Sequence, residues 1–259
     1  MVISKDALES LKADPAAASI RRSLEFYYGN PRQDAAMDAL YARFVRPGDL
    51  VFDIGSHVGD RIGSFRRLGA RVIALEPQPL CVRAIRDLYA GDEEVTVVEA
   101  VCGAREETVT FYVNSANPTV STASPDFVKA ADGAVGWQDQ VWDSEVVVPA
   151  VTLDSLIEKY GTPAFTKIDV EGFEDSVLAG LSRALPALSF EFTTIERAVA
   201  QRCLERVTAL GFTHFNVSMG ESMTLEFGDW VSPEAMAAHV LALPHEANSG
   251  DVYARITRS

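Results

Sequence analysis

Short apolar runs alternate with amphipathic stretches along most of this chain, and that alternation predicts an α/β core built on a parallel sheet. Leu50 to Ile54, Arg71 to Leu75 and Val95 to Val101 read as strands, with helices over Asp60 to Leu68 and Pro79 to Tyr89 between them. Ahead of this βαβαβ unit, Ser19 to Val45 has helical spacing, with Met37, Leu40, Tyr41 and Phe44 on one face. Gly29-Asn30-Pro31 breaks that stretch into two helices and Pro47-Gly48 ends it. After the third strand, Thr108 to Val113 is an extra strand, and Asn114 to Asp143 is a polar, poorly periodic loop, either a substrate-side lid or a surface excursion.

The alternation resumes with strand Val146 to Val151 and a helix Thr152 to Tyr160 that Thr152 caps. Strands Ala164 to Ile168, Ala187 to Phe192 and Phe212 to Val217 follow, separated by helices Glu171 to Leu181 and Glu196 to Leu210. Thr224 to Phe227 reads as a small strand, Ser232-Pro233-Glu234 starts a helix, and Asp251 to Ile256 is a final strand. With no crossover helix of its own, that last strand is expected to insert antiparallel. Two regions result: a helical lead-in, residues 1–48, that contributes to a substrate pocket, and a ligand-binding α/β domain, residues 49–259.

Composition narrows the function. The 259 residues are 47% hydrophobic, enough for one large core. A formal net charge of −14 and the lack of a Lys/Arg stripe argue against a nucleic-acid substrate. Cys81, Cys102 and Cys203 lie far apart without metal or redox spacing and read as small buried residues. The leading residues Met1 to Ser10 lack the apolar run of a signal peptide, and no stretch reaches the roughly 18 apolar residues of a membrane span. The expectation is a soluble, cytoplasmic protein with no membrane partner.

The candidate chemistry lies at strand ends. Val51-Phe52-Asp53-Ile54-Gly55-Ser56-His57-Val58-Gly59-Asp60 is a strand, a glycine turn and a helix start, at the sheet edge where open α/β folds bind ligands. Gly55 permits a sharp turn, the helix opening near Gly59 offers unpaired N–H groups to an anion, and Asp53 either anchors the loop or holds a ligand amino group. The second strand ends in Leu75-Glu76-Pro77, an acid placed to accept from both hydroxyls of a ribose. Ala100 and Val101, at the third strand end, are candidates for contact with a purine ring or are plain core. In Lys167-Ile168-Asp169-Val170-Glu171-Gly172-Phe173-Glu174 the acids either orient substrate and accept a proton or decorate a helix start. Glu191, inside an apolar strand, is either a base or the partner of Lys167 or an arginine. His57 shapes the turn, and His214, His239 and His245 are scattered, so no metal set is assigned. Asp169, Glu171 and Glu191 are the oxygen ligands that a metal-assisted variant would use.

Taken together, the glycine turn, Ala74-Leu75-Glu76-Pro77-Gln78-Pro79, Asn117 to Ser124 and Lys167 to Glu174 resemble the FkbM family of methyltransferases, over a span from about Tyr27 to Tyr253. The resemblance implies a class I, Rossmann-like, doubly wound seven-stranded sheet with an antiparallel last strand. It also implies S-adenosyl-L-methionine as cofactor and O-methylation of a hydroxyl on a sugar or other secondary metabolite. It assigns Asp53, Gly55 and Gly59 to the methionine part, Glu76 to the ribose and Asp169 to the reacting face. The chain departs from the family at Ser56-His57, where Ala-Asn is common. Two rivals remain: a nicotinamide-dependent oxidoreductase, disfavoured by the glycine spacing, and a catalytically silent protein of the same fold.

Overall fold

Five consecutive buried residues, Leu50–Ile54, form strand β1 at the centre of the sheet, and their alternation assigns each face its own core. Leu50, Phe52 and Ile54 point into one apolar cluster, Val51 into the other, and Asp53 shares the side of Val51. The computed structural model describes residues 3–257, so the outermost residues of the two expected regions, 1, 2, 258 and 259, lie outside the described residues.

The strands are β1, β2 (Arg71–Leu75), β3 (Val95–Val98), β4 (Val101–Cys102), β5 (Glu107–Val113), β6 (Ser144–Val151), β7 (Phe165–Ile168), β8 (Ala187–Thr193), β9 (His214–Met219) and β10 (Ser249–Arg255). The helices are α1 (Lys5–Ala13), α2 (Arg21–Tyr27), α3 (Pro31–Tyr41), α4 (Asp60–Arg67), α5 (Pro79–Leu88), α6 (Pro125–Ala131), α7 (Leu153–Tyr160), α8 (Glu174–Ala179), α9 (Arg197–Leu210) and α10 (Pro233–Ala242). Seven strands form one doubly wound sheet in the order β3-β2-β1-β7-β8-β10-β9, and β10 runs antiparallel to both its neighbours. Strand order reverses between β1 and β7, which register Asp53 against Lys167. That junction is the topological switch point where such sheets hold ligands.

Helices α1 to α3 pack Leu8, Leu24, Leu40 and Tyr41 against Val51, Phe65 and Phe165 on one face, while α7 to α9 cover Phe52, Leu188 and Phe190 on the other. Phe44 stacks on Phe165 at 5.0 Å and on Tyr253 at 5.6 Å between ring centroids, tying the lead-in to β7 and β10. Aromatic pairs of this kind add about 0.5–1.5 kcal/mol beyond the apolar area they bury.

Several elements differ from the sequence reading. Helix α1 precedes the two predicted ones because the Ser4 hydroxyl accepts from the Ala7 N–H and caps it. The run Val95–Val101 is broken: β3 stops at Val98, and Val101–Cys102 pairs with β6 in a separate three-stranded sheet ordered β4-β6-β5. The segment 114–143 is no plain loop, since it holds a 3-10 turn at Pro118–Val120 and helix α6, and buries Val120, Phe127, Ala131 and Trp137 together. Helix α8 starts at Glu174 rather than Glu171, because Glu171 (φ 56°) and Gly172 (φ 83°) are left-handed. Thr224–Phe227 forms no strand; Asn216 holds this stretch by donating from its side chain to the Phe227 carbonyl. Thr152 caps α7 as predicted, and no helix among the described residues is long and apolar enough to cross a membrane.

Candidate active site

Gly55 leaves β1 at φ 84°, and a Cβ built there would fall 1.8 Å from the Asp169 carbonyl oxygen, so the ends of β1 and β7 approach as only glycine permits. The Gly55 and Ser56 N–H groups both donate to the Leu75 carbonyl, and the Ser56 hydroxyl donates to the Asp53 carbonyl at 2.8 Å. Two tyrosines brace the turn from outside: Tyr28 donates to the Val58 carbonyl at 2.8 Å and Tyr89 to the Gly59 carbonyl at 2.6 Å. Gly59, at φ 86°, opens α4 without a side-chain cap, leaving first-turn N–H groups unpaired by a cap.

Beneath the turn, the Asp53 carboxylate is 1% exposed and neither oxygen has a hydrogen-bond partner among the described residues. Burial pushes its pKa up to about 6, against the pull of Lys167. Glu76 is better satisfied: its carboxylate accepts from the His57 N–H at 2.9 Å and the Gln78 N–H at 2.8 Å. Burial still raises it to about 7 in spite of those two donors. Each oxygen keeps a lone pair beyond its backbone donor. The His57 ring meets the Ser23 hydroxyl at 2.8 Å, the Thr119 hydroxyl at 3.3 Å and the Cys81 sulfur at 3.6 Å. Its enclosure drives the imidazole pKa down to about 4, so the ring is neutral near pH 7.

The second group of side chains sits at the ends of β7 and β8. Lys167, 2% exposed, donates to Asp169 Oδ2 at 2.5 Å. Burial pushes the Asp169 carboxyl up, yet the Lys167 charge and hydrogen bond outweigh it and hold Asp169 below its ordinary value. Glu191 forms no ion pair with Lys167; its Oε2 is buried and unpartnered among the described residues. Burial, followed by the nearby charges of Asp169 and Glu171, pushes Glu191 well above the usual carboxylate range. One oxygen from each of Asp169, Glu171 and Glu191 lies within 4.8 Å of the other two. Glu174 stands apart, accepting from the Val170 N–H at 2.9 Å and the Gly172 N–H at 3.3 Å, which makes it the brace of this loop.

Both groups line a single cavity of about 330 Å³, together with Gly55, Ser56, His57, Pro77, Ala100 and Val101. That volume lies in the range of small-molecule sites. From Glu76 on β2 across β1 and β7 to Glu191 on β8 is three strand spacings, or roughly 14 Å. Gly59 and Asp53 are not on the wall; Gly59 opens the helix, and Asp53 lies buried below the turn. Phe26 and Tyr27 of α2 and Thr119, Val120 and Trp137 of the 114–143 segment also reach the cavity.

Sequence reasoning missed Arg61, which is 7% exposed and pairs with Asp60 at 2.7 Å and with both Glu221 oxygens at 2.7 and 2.8 Å. It also missed Asp251, placed opposite Glu191 by the antiparallel register of β10 on β8. Neither pairing carries a local signal, because Glu221 and Asp251 come from distant segments.

Residues 53–213 match the methyltransferase FkbM domain. The chain is similar to 31-O-demethyl-FK506 methyltransferase FkbM of Streptomyces tacrolimicus, 30% identical over 165 residues, which span 54% of this chain and 62% of that protein's length. Among solved structures it is similar to a TehB-like SAM-dependent methyltransferase from Corynebacterium glutamicum, at 12% identity and a TM-score of 0.45 over 94% of this chain and 100% of that one. A precorrin-6y C5,15-methyltransferase from Geobacter metallireducens matches at 12% identity and a TM-score of 0.43, over 86% of this chain and 87% of that one.

Proposed function

The chain belongs to the FkbM methyltransferase family, and on that premise we propose that it moves the methyl group of S-adenosyl-L-methionine to a hydroxyl of a small molecule, a sugar or another secondary metabolite. The observation that carries this reading is the convergence on one cavity of the turn after Ile54, Glu76 and the Asp169–Glu191 pair. The methyl acceptor in the name of the Streptomyces relative, a demethylated oxygen, supports O-methylation.

The residues present fit the cofactor. The unpartnered Asp53 carboxylate lies behind the cavity wall, where its charge favours an amino-acid ammonium on the other side of the turn without touching it. The uncapped opening of α4 suits its carboxylate, and the remaining lone pairs of Glu76 suit two ribose hydroxyls. Ala100 and Val101, 3% and 4% exposed, offer the apolar contact a purine requires. Once bound, S-adenosylmethionine supplies a methyl carbon made electrophilic by its sulfonium, with a thioether as leaving group. At the acceptor end of the cavity the Asp169–Glu191 pair would hold the acceptor hydroxyl in line with that methyl carbon and take up the proton the hydroxyl releases. Asp169 is the member that Lys167 keeps ionised, so it accepts the proton while Glu191 orients the hydroxyl.

Most of the rate comes from holding donor and acceptor in line, with about 10²- to 10⁴-fold from proton acceptance. Acids outnumber bases on the cavity wall, where Arg61 and Lys167 are the cations, a lining that suits a neutral acceptor and repels a nucleic-acid phosphate. The test is product formation: S-adenosylhomocysteine appears only when a hydroxyl acceptor is supplied, and Asp169→Asn binds cofactor normally but loses at least about 10²-fold in turnover. Full turnover by Asp169→Asn removes it from the role. Failure of every hydroxyl acceptor, with cofactor bound, would leave a silent relative of the family.

A further inference from the structure

The cavity carries more buried negative charge than its own cations neutralise. Arg61 is fully committed, through one terminal nitrogen to Asp60 and through the other to both oxygens of Glu221. Lys167 engages Asp169 through Oδ2 alone. Glu171 and Glu191 are left with no ion pair among the described residues. Glu171 is 9% exposed and lines the cavity without a protein donor to its carboxylate among the described residues. Glu191 Oε2 is wholly buried and likewise unpartnered. Two enclosed carboxylates aimed at one space need a cation there or must give up their charge.

Geometry says which cation. One oxygen each from Asp169, Glu171 and Glu191 falls within 4.8 Å of the others. Oxygens on a six-coordinate ion with bonds of about 2.1 Å are separated by roughly 3 Å when adjacent and 4.2 Å when opposite, so the cluster fits after small side-chain rotations. Ionised around a bound cation, the three carboxylates beside the single Lys167 ammonium would carry a net charge of about −2, which a divalent ion balances and a monovalent one does not. The donor set is all oxygen, the preference of Mg²⁺ and Mn²⁺ rather than of zinc or copper. An ion held by three carboxylates on one side keeps its other positions towards the cavity.

We propose that Asp169, Glu171 and Glu191 form a divalent-cation site of the Mg²⁺ type at the acceptor end of the cavity, and that an oxygen of the acceptor completes it. This rests on the methyl-transfer reading above. Its consequence is that the ion draws charge from the acceptor oxygen, so the hydroxyl releases its proton at lower pH, and fixes that oxygen's position. With Asp169 and Glu191 ligating the ion, the acceptor proton leaves to solvent instead of to Asp169, and the ion is neither oxidised nor reduced.

Binding of Mn²⁺ by the full chain, followed by electron paramagnetic resonance with and without S-adenosylhomocysteine, tests the site without relying on turnover. One ion per chain is expected, displaced by Mg²⁺, with Glu171→Gln and Glu191→Gln each weakening it by about tenfold or more. Both variants are checked for native thermal unfolding, and Glu205→Gln on the exposed face of α9 serves as the control that leaves the affinity unchanged. Absence of Mn²⁺ binding in both conditions overturns the site, as does equal affinity in wild type and both variants, which would mean diffuse binding to an acidic surface. Calorimetry with S-adenosylhomocysteine on the same samples separates the two claims. Cofactor binding without Mn²⁺ defeats the metal site alone, and lack of cofactor binding defeats the reading beneath it.

Discussion

Replacing Gly55 by alanine tests whether the turn after β1 is held by close approach of two strand ends or merely by backbone freedom. The added Cβ falls 1.8 Å from the Asp169 carbonyl oxygen and 3.3 Å from a Val170 methyl group. Relief requires β7 to withdraw by more than an ångström at the point where Asp169 enters the cavity. A left-handed residue with a side chain costs about 1–2 kcal/mol and overpacking a tight site about 1–3 kcal/mol, so Gly55→Ala should lose about 2–5 kcal/mol. Gly133, at φ 74° with nothing within 4 Å of the place a Cβ would take, isolates the backbone contribution, and Gly133→Ala should lose about 1–2 kcal/mol. The assay is thermal unfolding of both variants, where each kcal/mol moves the midpoint by roughly 2–4 °C in a chain of this size. S-adenosylhomocysteine affinity is measured alongside. The reasoning is refuted if the two variants lose the same stability, or if Gly55→Ala binds the ligand as tightly as wild type.

Two further outcomes follow from the buried charges. Lys167→Met leaves Asp169 without its cation, and urea unfolding should show a loss of about 3 kcal/mol, of which Lys167→Met with Asp169→Asn recovers part; equal losses would mean that the pair contributes nothing. Glu174 is 1% exposed and burial raises its pKa from the ordinary 4.5 to about 8. Between those two values the folded chain holds a proton that the unfolded chain has released, so this group makes stability fall as pH rises through that window, by at most about 1.4 kcal/mol per unit. Glu174→Gln should flatten the slope between pH 5 and 8, and an unchanged slope would assign the dependence to other groups.

What the sequence made legible was whatever repeats at short range. Leu50–Ile54 and Arg71–Leu75 are short, mostly apolar runs, and Thr152 and Ser232 stand immediately before helices that they cap. The antiparallel β10 was expected from a missing crossover helix, yet α10 does lie between β9 and β10, which pair antiparallel all the same. Gly55 and Glu76 were readable because each ends a strand whose neighbours the alternation already specified. By contrast, nothing in Val95–Val101 marks where the chain leaves one sheet for another, because apolar runs look alike in either. The left-handed turn at Glu171 is set by its closure against Thr122, whose hydroxyl donates to the Glu171 carbonyl at 2.7 Å from 49 positions away. Ser23 and Thr119 meet on the His57 ring from the lead-in and the excursion, a contact between segments that share no local pattern.

The central claim, a cofactor with a ribose and an amino-acid end lying across β2, β1 and β7, is tested most directly by calorimetry of the wild type and Glu76→Gln with S-adenosylmethionine and with NAD. The account predicts one S-adenosylmethionine per chain and no heat with NAD. It also predicts a loss of about tenfold or more in affinity for Glu76→Gln, the cost of one charge-assisted hydrogen bond to the ribose. Binding of NAD in place of S-adenosylmethionine, or equal S-adenosylmethionine affinity in wild type and Glu76→Gln, would contradict it.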